Sequence, residues 1–203
     1  MTDPSAWFEE LYVKAEAGEA EVPWDKGAPN PKLVDWGPPD GAGLRALVVG
    51  SGLGDDAEYV AGRGYDTTAF DVAPTAIATT KRRFPDSPVH YLAANLLEPP
   101  AEWSQAFDLV VENITVQALP PEYHAEASTR IADFVAPGGT LLVLSAAREP
   151  DETPDGPPWP LTRTEVDAFA VGTGLEAVRV EDLFDANVSP FAHRWRAEFR
   201  RPG

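Results

Sequence analysis

The amino-acid sequence predicts an α/β domain built on a doubly wound, mostly parallel β-sheet. Short apolar runs such as residues 45–49 (RALVV) end directly at glycine or aspartate, as strands buried on both faces do. From residue 44 onward these runs alternate with helical segments, which implies right-handed crossovers and helices on both faces of the sheet. The last two runs alternate in the manner of an antiparallel pair. We therefore expect seven strands, with an antiparallel strand at the C-terminal edge.

Composition restricts the partners of this chain. Its 203 residues are 43% hydrophobic, which is enough for one ample core. The chain has 16 Lys and Arg residues against 33 acidic residues, which gives a formal net charge of −17. Because this charge repels phosphate backbones and anionic lipid heads, we expect the chain to bind neither nucleic acid nor membranes. We also expect a monomer. Cysteine is absent from the sequence, so disulfides and thiolate chemistry are excluded, and we expect no metal site.

Residues 1–43 are predicted to form an arm that packs on a main domain spanning residues 44–203. Apolar residues repeat at helical spacing near the start, so a helix is expected over residues 5–17, with Ser5 as its N-cap. The rest of the arm is dense in proline and glycine, and we expect it to wander over the surface. The N-terminus lacks the basic start and apolar core of a secretory signal, which favours a cytoplasmic location.

Turn residues place the remaining elements. Gly64 ends the first helix of the main domain, Pro74 begins the second, and the turn at 137–139 leads into a strand. The proline-rich loop at 148–160 is expected to cover a ligand. Strands are predicted at 45–49, 65–71, 89–92, 107–112, 140–145, 175–183 and 192–200. Helices are predicted at 55–63, 75–84, 121–135 and 162–171.

A glycine-rich turn follows the first strand and indicates a nucleoside-binding site. Gly50, Gly52 and Gly54 lie between a strand and a helix, at the sheet edge where folds of this Rossmann-like type bind ligands. A dinucleotide site has its third glycine at position 55, where Asp55 would repel a pyrophosphate. Asp71, at the end of the second strand, is placed to accept hydrogen bonds from both ribose hydroxyls. A phosphate-free nucleoside with a cationic sulfonium fits these features, which favours S-adenosylmethionine.

Each of these side chains also has an ordinary structural interpretation. Asp55 or Asp56 can cap the helix that follows, and Asp71 can simply close its strand. Asn95, just after the third strand, can hydrogen-bond an adenine edge while Leu96 packs on its face, or Asn95 can be a turn residue.

Four segments resemble the thiopurine S-methyltransferase and halide/thiol methyltransferase family of class I methyltransferases. Residues 46–56 (ALVVGSGLGDD) are similar to its first motif, and residues 23–31 (PWDKGAPNP) to its Trp-Asp-x-Gly arm. Residues 111–113 with 118–121 (VEN and ALPP) resemble its post-strand segment, and residues 157–162 (PPWPLT) its late loop. The resemblance extends over about residues 20–185 and implies S-adenosylmethionine as the cofactor.

The resemblance also implies individual roles. Trp24 would pack on the cofactor, Asp71 would hold its ribose, and Asn95 and Leu96 would meet its adenine. Glu112 or Asn113 would lie beside the methionine moiety. The residues predicted to bind the cofactor are Trp24, Gly50, Gly52, Gly54, Asp56, Asp71, Asn95, Leu96, Glu112 and Asn113.

The implied reaction is methyl transfer to a small molecule, above all to a thiol or halide. A thiolate or halide needs proximity and exclusion of water but no dedicated base. A phenol or amine would benefit from a base, and Glu112, at the carboxyl end of a strand, is the candidate catalytic residue. His90, His124 and His193 are alternatives, although nothing beside His90 or His124 forms a catalytic pair, so a structural or solvated role is favoured for these two.

Three other functions stay open at this stage. An O- or N-methyltransferase would use the same cofactor site. A methyltransferase fold that only binds the cofactor would share it as well. An NAD(P)-dependent oxidoreductase is less compatible, because no tyrosine is followed by lysine at Tyr-x-x-x-Lys spacing and position 55 is not glycine.

Overall fold

The computed structural model describes residues 5–184 and 193–203, and it confirms the predicted fold class. Seven strands form one sheet in the order β3-β2-β1-β4-β5-β7-β6. The strands are β1 (Arg45–Val49), β2 (Asp66–Asp71), β3 (His90–Ala93), β4 (Phe107–Asn113), β5 (Val135–Ala146), β6 (Glu176–Leu183) and β7 (Arg194–Arg200). The helices are α1 (Ala6–Glu16), α2 (Pro31–Trp36), α3 (Asp55–Gly62), α4 (Pro74–Arg83), α5 (His124–Asp133) and α6 (Arg163–Asp167).

The chain divides into two compact units, Met1–Pro100 and Ala101–Gly203. In the first unit β1, β2 and β3 pair in parallel, and β1 is buried from its second residue to its last. Such a strand must be apolar throughout, which is why its sequence shows no alternation. Helix α4 packs on β2 and β3, and helix α1 packs on α4.

In the second unit β4 and β5 are parallel, whereas β7 is antiparallel to both β5 and β6. The predicted antiparallel character of the C-terminal strands is therefore confirmed. The first residue of the last predicted strand, Ala192, lies outside the described residues. The core of this unit includes the fully buried Phe107, Phe134 and Phe199.

The arm contains a helix that the sequence interpretation missed. Asn30 accepts a hydrogen bond from the amide of Lys32 at 2.8 Å, Pro31 supplies the first turn, and Leu33 is completely buried. The prediction that this stretch has no regular structure is thus wrong for Pro31–Trp36. Ser5 occupies the N-cap position of α1 as predicted, but its side chain makes no cap hydrogen bond.

Three other elements have a boundary that differs from the prediction by three residues or more. The helix predicted over 121–135 begins as a 3₁₀ turn, Pro121–Tyr123, and α5 ends at Asp133. Strand β5 starts before the Pro-Gly-Gly turn, with a register irregularity against β4. Helix α6 is shorter than predicted, although Thr162 does cap it. Within residues 5–184 and 193–203, no helix combines the length and apolarity that crossing a bilayer requires.

Candidate active site

The glycine turn after β1 has backbone angles that favour glycine, and other side chains pack closely against it. Gly52 and Gly54 have φ angles of 53° and 94°, in the region that other residues rarely adopt. A Cβ on Gly54 would lie 2.6 Å from Thr80 Cγ2 and 2.8 Å from Tyr91 Oη. A Cβ on Gly52 would lie 3.2 Å from the hydroxyl of Tyr12. The turn therefore requires glycine both for its backbone shape and for the side chains beside it.

Asp71 is linked to this turn by its carboxylate. Oδ2 accepts from the amide of Gly52 at 3.0 Å, and Oδ1 accepts from the amide of Ala73 at 2.9 Å. Burial raises the pKa of Asp71, although these amide hydrogen bonds and that of Val72 oppose the shift. The side chain thus organises the backbone of the site. Each carboxylate oxygen still has a lone pair for the ribose hydroxyl contact that we predicted for it.

The two acidic residues after the turn are engaged by the protein. Gly54 occupies the N-cap position of α3, so neither Asp55 nor Asp56 is the cap. Asp55 forms a bidentate ion pair with Arg83, with both N–O distances 2.8 Å. Asp56 accepts from the backbone amide of Asn30 at 2.6 Å. These contacts attach the arm and α4 to the start of α3. The contact of Asp56 with the cofactor stays a prediction.

Trp24 belongs to an aromatic cluster between the arm and the glycine turn. Its indole N–H donates to the hydroxyl of Tyr12 at 2.8 Å. Its ring makes edge contacts with Phe8 and Tyr12, with centroids 6.0 and 6.1 Å away. Leu53 of the glycine turn packs against the same cluster. Tyr12 was not among the predicted site residues, because only the fold brings it to Gly52.

The adenine-site candidates lie in a turn after β3. Asn95 Oδ1 accepts from the amide of Leu97 at 2.9 Å, and Leu96 is buried. The side-chain oxygen of Asn95 therefore has the role expected of a turn residue. The side-chain nitrogen of Asn95 is a separate hydrogen-bond donor. The contact of either residue with adenine stays a prediction.

Glu112, in the second unit, is completely buried, and its two carboxyl oxygens differ in their hydrogen bonding. Oε1 accepts from the amides of Thr115 and Val116 at 2.7 and 3.0 Å and so caps a 3₁₀ turn. Oε2 has no hydrogen-bond partner among the residues that the structure describes. Burial raises the pKa of Glu112 to about 7, against smaller lowering effects of Val116, Thr115 and His124. A buried carboxyl oxygen without a partner calls for an explanation, and a bound ligand is one.

The backbone after Glu112 is strained. Ile114 has a φ angle of 57°, which is unfavourable for a β-branched side chain. Strain of this kind costs of the order of 1–3 kcal/mol and persists where the surroundings impose it. The predicted site residue Asn113, which ends β4, directly precedes this strained residue. Sequence reasoning could not find Ile114, because no local signal marks an isoleucine at positive φ.

Each of the three histidines lies beside an acidic side chain that is distant in the sequence. His124 is buried and bonds Glu165 Oε1 through Nδ1 and the carbonyl of Leu119 through Nε2, both at 2.9 Å. His90 is an exposed residue 3.5 Å from Asp66, and His193 contacts Asp182. Each of the three therefore has an acidic neighbour, and His124 holds secondary structure together.

The proline-rich loop at 148–160 is held by hydrogen bonds at both ends. Arg148 donates to the carbonyls of Pro160 and Glu152 at 2.8 and 3.0 Å, and it also reaches Glu165. The amide of Trp159 donates to the carbonyl of Gln117 at 2.6 Å. Gln117 lies in the 3₁₀ turn that Glu112 caps, so the loop is connected to that turn. Its role as a cover for the ligand stays a prediction.

Comparisons with known proteins identify the family. A family model described as a methyltransferase domain matches residues 46–139. The chain is 31% identical over 173 residues to probable thiol methyltransferase 2 of Arabidopsis thaliana, covering 82% of this chain and 74% of that protein. The chain belongs to the class I S-adenosylmethionine-dependent methyltransferases, and it is an enzyme of that class. S-adenosylmethionine is its cofactor.

Solved structures agree on the fold. The N-methyltransferase NodS of Bradyrhizobium japonicum has a TM-score of 0.69 and 23% identity, with 85% of this chain and 94% of that chain covered. A Burkholderia thailandensis 1,6-didemethyltoxoflavin-N1-methyltransferase, solved with S-adenosylhomocysteine, has a TM-score of 0.69 and 18% identity, with 100% and 92% covered. These similarities show the architecture alone, because fold does not specify the acceptor.

The described residues fit this cofactor. In the first unit, Gly52 leaves the backbone of the glycine turn without a side chain, and the amide of Gly52 donates to Asp71. A backbone that a ligand can approach closely and a carboxylate beside it suit a phosphate-free nucleoside.

Proposed function

We propose that this enzyme methylates the sulfur of a small thiol. The observation that carries the proposal is the fully buried Glu112, whose Oε2 has no partner among the described residues and whose pKa is raised to about 7. A base with a pKa near the working pH is suited to a weakly acidic acceptor. The likeness to a plant protein named as a probable thiol methyltransferase supports the same acceptor.

The residues of the first unit would bind the cofactor. Asp71 and the glycine turn would hold the nucleoside, and Trp24 would shield it from water. Asn95 and Leu96 would contact the adenine. When bound, S-adenosylmethionine supplies an electrophilic methyl group on a sulfonium sulfur.

Glu112 would take the proton of the thiol. A cysteine-like thiol has a pKa of about 8.5, so transfer to a carboxylate of pKa about 7 is uphill by about 2 kcal/mol. Transfer to an ordinary glutamate would be uphill by more than twice as much. The resulting thiolate would be the nucleophile for the methyl group that the cofactor supplies, and Glu112 would then release the proton to solvent.

Halide is the alternative acceptor within the same family resemblance. A halide carries no proton, so the properties of Glu112 would serve no purpose in its methylation. A net charge of −17 also disfavours the approach of a small anion, whereas a neutral thiol is not repelled. Both considerations favour the thiol.

The test measures methyl transfer from labelled S-adenosylmethionine to a small thiol, iodide, a phenol and an amine. We expect turnover with the thiol, and a rate that rises with pH through about 7 as Glu112 ionises. Glu112→Gln keeps the acceptor oxygen for the two amides but removes the base. We expect kcat/KM to fall about a hundredfold, and its pH dependence to follow instead the ionisation of the thiol near 8.5.

The exposed Glu122, in the 3₁₀ turn before α5, offers a matched control. Glu122→Gln makes the same chemical change and should leave rate and pH profile as in the wild type. Methylation of iodide but not of the thiol would contradict the proposed acceptor. A wild-type pH profile in Glu112→Gln would remove Glu112 from the mechanism.

A further inference from the structure

We propose that Ser145 of strand β5 selects the methyl acceptor, its hydroxyl bonding a hydroxyl group on the carbon next to the one that bears the acceptor's sulfur. The substrates would then be small, uncharged hydroxythiols. This role rests on the proposed function, because Glu112 would meet the sulfur of the same molecule whose oxygen Ser145 binds.

Ser145 has a buried hydroxyl without a partner. The residue is only 1% exposed, and within residues 5–184 and 193–203 its Oγ has no hydrogen-bond partner. In the second unit, as far as the structure describes it, the other buried side-chain atom of this kind is Oε2 of Glu112. Burying a hydroxyl without a hydrogen bond costs free energy, so a ligand that bonds it gains affinity there.

The strand register places Ser145 and Glu112 on one face of the sheet. Glu112 of β4 pairs with Val143 of β5 in parallel, so these two side chains point to the same face. Ser145 lies two residues further along β5 and therefore points there as well. The strand spacing and rise put the Cα atoms of such diagonal neighbours about 8 Å apart. One small molecule can therefore contact both side chains.

The 3₁₀ turn Val116–Ala118 joins the ends of both strands. Its first amide donates to Glu112 Oε1 at 3.0 Å, and Oε1 of Gln117 accepts from the amide of Ala146 at 2.5 Å. Ala146 is the residue after Ser145. The turn thus fixes Glu112 and Ser145 at the same end of the sheet, within the second unit.

Two other polar side chains near Ser145 and Glu112 are already engaged. Trp195, the register partner of Ser145 on β7, donates its indole N–H to the carbonyl of Leu161 at 2.8 Å. His124, whose charge acts on Glu112, has an acceptor 2.9 Å from each ring nitrogen. The indole ring lies on the same face as Ser145, so it offers an apolar surface to the carbons of a ligand.

The charge of Glu112 restricts what the acceptor can carry beside its sulfur. A carboxylate would add a negative charge next to this buried acid, and an ammonium would lower the pKa of Glu112 and so weaken it as a base. A hydroxyl does neither. It can also donate to or accept from the hydroxyl of Ser145, because each group has both capacities.

The test compares 2-mercaptoethanol with 1-propanethiol, which has a methyl group in place of the hydroxyl. We expect the wild type to have a kcat/KM at least about tenfold higher for 2-mercaptoethanol, because a site that bonds a hydroxyl rejects the analogue without one. Ser145→Ala should reduce this preference at least about fivefold, mainly through slower turnover of 2-mercaptoethanol. Ser104→Ala makes the same chemical change at an exposed serine before β4 and should keep the wild-type preference.

Urea unfolding separates a ligand contact from a structural role. A buried hydroxyl that is bonded only by a ligand destabilises the free enzyme, so Ser145→Ala should raise the midpoint of urea unfolding by about 0.3 M. A midpoint below that of the wild type would mean that the hydroxyl is bonded within the protein, which would overturn the proposal.

Failure of this substrate class can be told from failure of the proposed function. If the wild type methylates both thiols and Ser145→Ala keeps the same preference, the hydroxythiol class is wrong, while thiol methylation stands. If the wild type methylates neither thiol but does methylate another acceptor, the proposed function is wrong, and the role of Ser145 falls with it.

Discussion

Glu112 is a buried acid that the fold accommodates at a cost. The folded protein holds its proton more tightly than the unfolded chain, whose carboxyl has the ordinary pKa of 4.5. The stability that protonation provides is therefore complete below about pH 4.5 and is lost as the pH rises to about 7. Above that pH, the ionised side chain costs about 3 kcal/mol. A residue that destabilises the protein in this way is typical of functional sites.

We accordingly expect Glu112→Gln to stabilise the protein at alkaline pH. Relative to the wild type, its free energy of unfolding should be higher by up to about 3 kcal/mol at pH 8.5 and little changed at pH 5, because only the wild type must ionise a buried group. Urea denaturation at the two pH values measures the difference. A gain that is equal at both values would show that the effect comes from packing and not from ionisation.

At the scale of elements, a cluster of four side chains joins α5, α6 and the proline-rich loop. Glu165 accepts from His124, from the amide and hydroxyl of Thr162 at 2.8 Å, and from Arg148 at 3.1 Å. Burial by itself would raise the pKa of Glu165, but the hydrogen bonds of His124 and Thr162 and the charge of Arg148 lower it to about 2. One carboxylate thus fixes the start of α6 and both ends of the loop.

Removing this carboxylate should loosen the loop. We expect Glu165→Ala to lower the free energy of unfolding by about 3 kcal/mol near neutral pH, since it removes a capping box and leaves the buried His124 without its partner. The loss should shrink as the pH falls from about 4.5 to about 2, because the wild-type carboxylate is then protonated. Limited proteolysis should cut the variant within residues 148–160 faster than the wild type.

Asp167→Ala is the control for this prediction. Asp167 pairs with Arg163 in the same helix at 2.9 Å, but both side chains are about half exposed, at 47% and 55%. Such exposed pairs contribute little, so we expect a change within about 0.5 kcal/mol. If the two variants were equally destabilised, the cluster around Glu165 would have no special role in holding the loop.

For the whole molecule, the net charge of −17 implies self-repulsion in the folded state. Salt screens this repulsion, with a Debye length that falls from about 30 Å at 0.01 M to about 8 Å at 0.15 M. We expect the melting temperature to rise by several degrees over that range. Sodium chloride and potassium glutamate should act alike, because screening depends on ionic strength and not on the ion. A falling melting temperature would mean that ion pairs such as Asp55 with Arg83 outweigh the repulsion.

Local signals explain why much of the fold was predictable. Strands β1, β4 and β5 contain short apolar runs, and the glycine turn follows β1 where Gly52 and Gly54 must adopt positive φ angles. Boundaries were less predictable where elements grade into one another, as with the 3₁₀ turn Pro121–Tyr123 before α5. Helix α2 was missed because its stretch is dense in proline and glycine, although in this context Pro31 and Asn30 start a helix.

The sequence by itself determined the alternation of strands and helices, the glycine turn, the family resemblance and the strongly acidic surface. Those properties depend on residue type and on neighbours along the chain. The tertiary structure decided which side chains meet: Tyr12 with Trp24 and Gly52, His124 with Glu165, and Glu112 with the amides that follow it while one oxygen stays without a partner. Such contacts depend on how elements pack and on which polar groups that packing buries, and no local pattern of residues encodes either.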